Sequence, residues 1–376
     1  MTNEWIKFRG YMLVLRQPMI LAILSGLLLA LSFPLFNISI LAWIALVPLL
    51  FALDGKRPVQ SFALGWLTGF TMFIGQIFWL KIFHVSIPFV VSAYLALFFG
   101  LFAFIYCYIK ERYAISDIVL IPIVWVAIEY LRSIGMWGFP AGLLGYSQHQ
   151  NILLIQIADI IGIFGISFIV VMSNAAIFSL LNKYSVERAI KILSLIAIII
   201  GIVFAYGAIK MNAAEGPRDL KVALIQPNIN YEAKKGFDVS KIVGNLAELT
   251  AKAAVEKPDL IVWPETVIPE SIRLSPIVSK KVYNIVRQSK TYILTGNPDM
   301  KNVNSKVMDY NSAFLISPKG IVVQQYNKIH PVMFWEVMPI RYYLPFLRNT
   351  EAKGVCDPAK EYTIFDMPKG KFSALI

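Results

Sequence analysis

The stretch Asp259-Leu-Ile-Val-Trp-Pro-Glu265 places a carboxylate directly behind a short apolar run. An apolar run bounded by charged and turn-forming residues predicts a buried β-strand. Pro264 ends this strand because proline has no backbone N–H to donate to a neighbouring strand. Glu265 is therefore expected at the carboxyl end of the strand. There a carboxylate is either a catalytic group or a structural cap, and the tripeptide alone does not decide between them.

The residues around this strand predict an α/β domain over 218–376. Apolar residues recur at helical spacing over 239–256 and over about 276–289. Short apolar runs, several of them bounded by Pro-Lys-Gly turns, predict strands. The expected strands cover 221–226, 259–263, 292–295, 312–317, 321–327, 362–366 and 372–376. This order of elements is typical of a sandwich in which helices cover a mixed sheet.

The first 210 residues have a different composition from the rest. Across the chain 57% of residues are hydrophobic and 15% are charged, with a mean hydropathy of +0.63. Residues 1–210 contain only 20 of the 58 charged residues. So little charge in an apolar region predicts a polytopic α-helical membrane domain over 1–210. Two cysteines are too few to suggest a disulfide framework.

Seven apolar segments are candidate membrane spans, and the charges between them predict their orientation. The segments cover about 18–36, 38–53, 60–80, 88–109, 117–131, 153–181 and 190–209. With a cytoplasmic N-terminus, the inner segments contain ten Lys and Arg residues and the outer loops two. Such a bias places the domain after residue 210 on the outer face, the periplasm of a Gram-negative cell.

The positive loops also account for the net charge of +12, since no Lys/Arg cluster accompanies a nucleic-acid-binding signature. We therefore expect no nucleic-acid partner. The loop 133–150 falls on the predicted outer side and is rich in glycine and aromatic residues. It is either a simple interfacial hairpin or an element that presents lipid to an outer active site.

A second polar motif follows the first at a later strand end. Lys328 comes directly after the predicted strand 321–327, and Glu336 lies eight residues further on. A lysine after a strand is weak evidence of function by itself. Trp-Pro-Glu and Tyr-x-Lys in this order, each at a strand end, are a more specific combination.

The order of these motifs resembles the nitrilase superfamily. Together with the preceding spans, Gly138-Phe139-Pro140 and Leu144-Gly145-Tyr146-Ser147-Gln148 are similar to the apolipoprotein N-acyltransferase family in particular. The resemblance covers essentially the whole chain. It implies an αββα fold carrying a Glu–Lys–Cys triad, in a multi-pass protein of the bacterial inner membrane.

The resemblance also implies an activity and the roles of residues. An acyl chain would pass from a phospholipid to the N-terminal diacylglyceryl-cysteine of a lipoprotein, through a thioester on the enzyme. Glu265 would act as general base, Lys328 would stabilise the oxyanion, and Glu336 would support the lysine. No metal or organic cofactor is implied, and a monomer is expected.

Two features depart from the family pattern, and Cys356 does not restore the missing nucleophile. The resemblance places the nucleophilic cysteine immediately after the strand that ends at Ile376, so the α/β domain is expected to be truncated and the chain inactive alone. Cys356 lies in a turn-like stretch 28 residues after Lys328, and we interpret it as a structural cysteine. Trp335 stands where the family has a glycine, which threatens the local backbone conformation.

Three other functions fit parts of the pattern. A non-catalytic remnant could retain lipid or lipoprotein binding without turnover. A transporter would suit seven spans, with Glu129 and Asp159 as its ionisable candidates, although they form no obvious relay. A membrane-tethered amidase would act on a soluble amide, and the Gly/aromatic loop argues against it.

Overall fold

The protein is represented by a computed structural model that describes residues 17–135, 137–182, 186–213, 220–229, 239–303, 306–331, 336 and 356–376. Two compact units are present, Met1–Ala214 and Glu215–Ile376. The first unit is helical, and the second is built on a β-sheet.

Helical segments occupy each of the seven predicted intervals of the first unit. The α-helices are α1 (Pro18–Leu31), α2 (Val47–Leu53), α3 (Pro58–Ile77), α4 (Ile87–Arg112), α5 (Asp117–Ser133), α6 (Ile152–Ile155), α7 (Ala158–Asn182) and α8 (Val186–Asn212). Short 3₁₀ helices cover Ser39–Trp43, Phe78–Ile82 and Leu144–Gln148. In the described part of the chain, four segments are long and apolar enough to cross a membrane: Pro58–Ile82, Ile87–Arg112, Ala158–Asn182 and Ser194–Asn212. Seven spans therefore stay a prediction.

Small residues bring helices α3 and α4 close together. Gly65 and Gly69 are one turn apart on α3, and both face α4. A Cβ atom on Gly65 would overlap the backbone carbonyl oxygen of Phe99, and one on Gly69 would lie 2.8 Å from the Phe99 Cβ. Close backbone approach at small residues is a common way for helices to associate in a membrane, where no hydrophobic effect drives them together.

The second predicted span is interrupted. Between the 3₁₀ helix Ser39–Trp43 and α2 the backbone leaves the helical path, which frees main-chain groups. The amide of Leu46 donates to Oδ1 of Asn174 at 2.8 Å, and Nδ2 of Asn174 donates to the Ala42 carbonyl at 2.8 Å. The hydroxyl of Ser25 donates to the Ala45 carbonyl at 2.5 Å. These bonds satisfy groups that would be costly to leave unpaired in an apolar environment.

The Gly/aromatic loop is attached to the end of α5 by two buried charged residues. Nη1 of Arg132 donates to the carbonyls of Phe139 (2.8 Å) and Ala141 (2.6 Å). The carboxylate of Glu129 accepts from the amide of Leu144 at 2.7 Å. Both charged side chains are almost fully buried. The loop therefore has a defined structure, which suits either interpretation made from its sequence.

The second unit contains one five-stranded mixed sheet and a separate hairpin. Its elements are β1 (Val222–Leu224), α9 (Val239–Ala254), β2 (Leu260–Val262), α10 (Pro276–Ser289), β3 (Tyr292–Val303), β4 (Lys306–Ser317), β5 (Ile321–Asn327), β6 (Ile364–Met367) and β7 (Gly370–Ser373). The sheet order follows the sequence, with β1, β2 and β3 parallel and β4 and β5 added antiparallel. Strand β5 therefore runs in the same direction as β2.

The two faces of the sheet have separate apolar cores. On one face Ile261, Ile293 and Phe314 pack with residues of α9 and α10. On the other face Leu294 and Leu315 pack with residues of the β6–β7 hairpin. Alternation along each strand sends successive side chains to opposite faces, so both cores are formed by the same strands.

Strands β3 and β4 are longer than their sequence predicts. The expected strand ended at Thr295, yet pairing continues to Val303 opposite Lys306. The added segment contains Gly296, Asn297, Pro298 and Asp299, residue types that are rare in strands. Regular cross-strand pairing with β4 outweighs these local preferences. The predicted fold class, helical membrane segments followed by an α/β domain with a mixed sheet, is confirmed.

Candidate active site

Glu265 lies at the carboxyl edge of the sheet, two residues after Trp263. The amide of Trp263 donates to the carbonyl of Leu294 at 2.8 Å, so the chain turns away from the sheet only after this residue. Thr266 has a φ of 47°, a left-handed conformation that is strained for a β-branched residue. Gly296 on β3 lies beside this turn, and a Cβ atom on it would be 2.5 Å from the Cα of Glu265. The position of Glu265 therefore depends on a glycine in the neighbouring strand.

Lys328 reaches the same point from β5. Because β5 and β2 run in the same direction, their carboxyl ends meet at one edge of the sheet. The amide of Lys328 donates to the Asn311 carbonyl at 2.8 Å, which continues the pairing with β4 by one residue. Its Nζ lies 3.3 Å from Oε1 of Glu265. The structure thus brings together the two residues that the sequence identified at separate strand ends.

Glu336 completes a cluster of two carboxylates and one ammonium group. Nζ of Lys328 is 3.1 Å from Oε1 and 2.9 Å from Oε2 of Glu336. The Lys328 and Glu336 side chains are 7% and 11% exposed, whereas that of Glu265 is 48% exposed. Glu265 can therefore be reached by a substrate, whereas Glu336 is buried beside the lysine. The catalytic roles assigned to these three residues remain predictions.

Asn311 is a fourth residue of this cluster, and neither sequence motif indicates it. Its Nδ2 donates to Oε1 of Glu265 at 2.6 Å and to Oε1 of Glu336 at 3.1 Å. The Pro318-Lys319-Gly320 turn alone could not have found it. The turn pairs Ser317 with Ile321, and a β-bulge between Leu315 and Ile316 then shifts the register by one residue, so that Ser312 pairs with Asn327 and Asn311 lies beside Lys328.

The pKa of Lys328 reflects its neighbours. Burial disfavours the charged ammonium group and on its own would lower the pKa. The carboxylates of Glu336 and Glu265 raise the pKa of Lys328. Together they outweigh burial, so the pKa of Lys328 lies above its usual value. Lys328 therefore stays protonated at neutral pH, as a group that stabilises an oxyanion must.

Cys356 lies close to the cluster without sharing its chemistry. Its amide donates to the carbonyl of Glu336 at 2.7 Å. Burial is the main cause that raises the pKa of its thiol, to about 11. The negative charges of Glu336, Asp309 and Asp357 raise this pKa further, whereas the positive charge of Lys328 lowers it. The thiol is therefore protonated at neutral pH and a poor nucleophile, which favours the interpretation of Cys356 as a structural residue.

Chemically, the cluster provides a proton acceptor beside a fixed positive charge. A carboxylate in reach of substrate can accept a proton, and an ammonium group at 3.3 Å can stabilise negative charge that forms on an acyl oxygen.

Within the described residues, no group of three or more His, Cys, Asp or Glu side chains is arranged to hold a metal ion. Trp335 and the stretch 337–355 lie outside the described residues, so the expected effect of Trp335 stays a prediction.

Two family models match the chain. The Apolipoprotein N-acyltransferase N-terminal domain matches residues 25–176, and the Carbon-nitrogen hydrolase family matches residues 221–376. Among curated relatives, an apolipoprotein N-acyltransferase of Geobacter metallireducens is 35% identical, over 96% of this chain and 73% of the relative. One of Rickettsia prowazekii is 28% identical, over 88% of this chain and 68% of the relative.

Two solved structures are similar to part of the chain. An amidase from Nesterenkonia sp. is similar over 44% of this chain and 57% of its own, with 14% identity and a TM-score of 0.31. A mutant of the Nesterenkonia AN1 amidase, of the nitrilase superfamily, is similar over 42% of this chain and 56% of its own, with 14% identity and the same TM-score.

Proposed function

Because the chain belongs to the apolipoprotein N-acyltransferase family, we propose that it transfers an acyl chain from a membrane phospholipid to the α-amino group of a diacylglyceryl-cysteine at a lipoprotein N-terminus. Membership of this family makes the protein an acyltransferase, and its apolar helices make it a membrane protein. We further propose that the acyl donor is a phospholipid, that the acceptor is a lipoprotein, and that the reaction takes place on the periplasmic side of the inner membrane.

One observation supports the proposal above the others. Glu265, which is half exposed, and Lys328, which is buried, lie 3.3 Å apart at the carboxyl edge of the sheet. Acyl transfer needs a base that can reach the substrate and a cation that stabilises the tetrahedral oxyanion. Glu336 also contacts the lysine and holds its ammonium group in place.

In the first half-reaction a cysteine thiol attacks the ester carbonyl of the phospholipid. The family resemblance implies this thiol. Glu265 accepts the thiol proton, and Lys328 stabilises the oxyanion. When the C–O bond of the ester breaks, the leaving alkoxide takes the proton from Glu265 and departs as a lysophospholipid. A thioester remains.

In the second half-reaction the lipoprotein amine attacks the thioester. Glu265 accepts a proton from the amine and returns it to the departing thiolate, so the products are an amide and the free thiol. The acyl group is covalently held between the two steps, and ping-pong kinetics follow.

The proposal is tested with the full-length gene product in lipid nanodiscs that contain a phospholipid with labelled acyl chains. A diacylglyceryl-cysteine peptide is the acceptor, and mass spectrometry follows acylated peptide and lysophospholipid. We expect both products in equal amounts. Glu265→Gln and Lys328→Met should lower their rate of formation by about 100-fold or more.

Lys281→Met is the matched control. Lys281 is an exposed lysine of α10 whose ammonium group contacts the Ser240 hydroxyl, so its loss should leave the rate unchanged. Free fatty acid in place of acylated peptide would show a hydrolase. Bound lipid with neither product would show a non-catalytic lipid-binding protein. Either result would overturn the proposal.

A further inference from the structure

Asn311 makes contacts that neither of the sequence motifs predicts. It lies in the middle of β4 with only 5% of its surface exposed. Its single amide group donates to both carboxylates of the cluster, at 2.6 Å to Glu265 and 3.1 Å to Glu336. Lys328 also donates to both carboxylates. The two acids are thus bridged twice, once by an ammonium group and once by a neutral amide.

The orientation of this amide is fixed by chemistry. With its oxygen and nitrogen exchanged, Oδ1 of Asn311 would face two carboxylate oxygens, and three acceptors would meet with no proton between them. In the observed orientation Oδ1 instead accepts from the hydroxyl of Thr266 at 3.4 Å. The amino group of Asn311 must therefore point at the acids.

The charges around Asn311 explain why a neutral donor matters there. Glu265 and Glu336 face it directly, and Asp309 lies two residues earlier on β4, where its amide donates to the Asp357 carboxylate at 3.0 Å. Among the described contacts of the two glutamates, Lys328 supplies the positive charge. Two carboxylates that share one ammonium group repel each other, and a second donor that bonds to both offsets part of this repulsion.

We propose that Asn311 is a positioning residue, which holds the Glu265 carboxylate beside Lys328 and lets two ionised glutamates share one ammonium group. Its effect on catalysis rests on the function proposed above. Its effect on the cluster does not, because the contacts that carry it are present without substrate. The two effects can therefore be measured separately.

The first measurement is the melting temperature of the detergent-solubilised full-length protein as a function of pH. Asn311→Asp keeps the shape of the side chain and replaces the donor with a third carboxylate. Crowding by two acids raises the pKa of an introduced carboxyl group in the folded state, so its stabilising protonated form is lost as the pH rises. We expect the variant to melt at least about 5 °C below the natural protein at pH 8, with this difference at least halved at pH 5.5.

Asn284→Asp is the matched control. Asn284 is exposed on α10 and uses its oxygen, which accepts from Arg287 at 2.9 Å, so the same substitution retains its contact. We expect no loss of stability at pH 8 for this variant. If Asn311→Asp does not fold at pH 8, Asn311→Ser is measured instead. A serine retains one donor and should show a smaller loss that does not depend on pH.

The second measurement is the kinetics of acyl transfer. Displacement of the base by about 1 Å can lower a rate by about 100-fold, so kcat should fall by that factor in Asn311→Asp while KM changes little. The inference would be overturned if Asn311→Asp lowered the melting temperature by the same amount at both pH values. It would also be overturned if Asn311→Asp had the same kcat as Asn284→Asp. If the natural protein shows no acyl transfer, that result would instead contradict the proposed function. The melting experiment would still test the role of Asn311.

Discussion

Gly296 controls the backbone position of Glu265. The turn after β2 passes so close to β3 that a Cβ atom at residue 296 would lie 2.5 Å from the Glu265 Cα and 2.8 Å from the Thr266 amide nitrogen. Both contacts are with backbone, which cannot rotate away as a side chain can. Thr266 adds strain through its left-handed φ of 47°. Strained residues at such a turn persist only where the surrounding structure holds them.

We predict that Gly296→Ala lowers both stability and acyl transfer. The added methyl group pushes the Glu265 turn away from the sheet, at a cost of about 1–3 kcal/mol. This shift also moves the Glu265 carboxylate away from Lys328. Calorimetry and the nanodisc assay measure the two effects. Gly244→Ala is the control, because nothing lies within 4 Å of a Cβ atom at that exposed position of α9. There alanine should stabilise the helix by about 0.5–1 kcal/mol. Equal behaviour of the two variants would contradict the prediction.

The sequence reveals some of the site residues and not others. Glu265 and Lys328 could be predicted because each follows a segment that the sequence predicts as a strand, and a charged residue at a strand end can be found from the sequence alone. Gly296 and Asn311 could not be found in this way. Their importance comes from the strand next to them, and the longer β3–β4 pairing that sets this neighbourhood runs through residue types that disfavour strands.

The interrupted helical segment 39–53 illustrates the same limit for whole elements. Its apolar composition predicts one continuous span, and composition cannot show where a helix breaks when the freed groups find partners elsewhere. The partner here is Asn174 on α7, more than a hundred residues away in the chain. Its amide bonds both the Leu46 N–H and the Ala42 carbonyl, which are the groups exposed by the break.

We predict that Asn174→Leu destabilises the first unit. The substitution keeps the number and branching of the side-chain heavy atoms and leaves a buried N–H and a buried carbonyl without their Asn174 partner, at a cost of about 1–3 kcal/mol. Asn182→Leu is the control at the end of the same helix, where the amide contacts the exposed Asp54 side chain at 3.2 Å. Melting curves in detergent should show a clear loss for Asn174→Leu and little change for Asn182→Leu. An unchanged melting temperature in the first variant would mean that the break does not depend on Asn174.

For the whole molecule, the location of the cluster relative to the membrane decides which substrates it can meet. The loop charges predict that the second unit lies outside, with ten basic residues on the inner side and two on the outer side. One of these two, Arg132, is buried and donates to loop carbonyls, so it is not a free loop charge. With Arg132 set aside, the bias toward the inner side becomes stronger.

This orientation predicts the accessibility of single cysteines to a membrane-impermeant maleimide. In the chain of residues 1–376 with Cys107→Ala and Cys356→Ala, Lys280→Cys on the exposed surface of α10 should react in intact spheroplasts. Arg112→Cys, at the exposed end of α4 on the predicted inner side, should react only after lysis. The physical basis is that Lys and Arg resist transfer across the membrane during insertion, whereas the acidic residues have little effect. The reverse pattern would place Glu265 and Lys328 in the cytoplasm, away from a lipoprotein N-terminus on the outer face. It would therefore contradict the predicted orientation and, with it, the proposed lipoprotein acceptor.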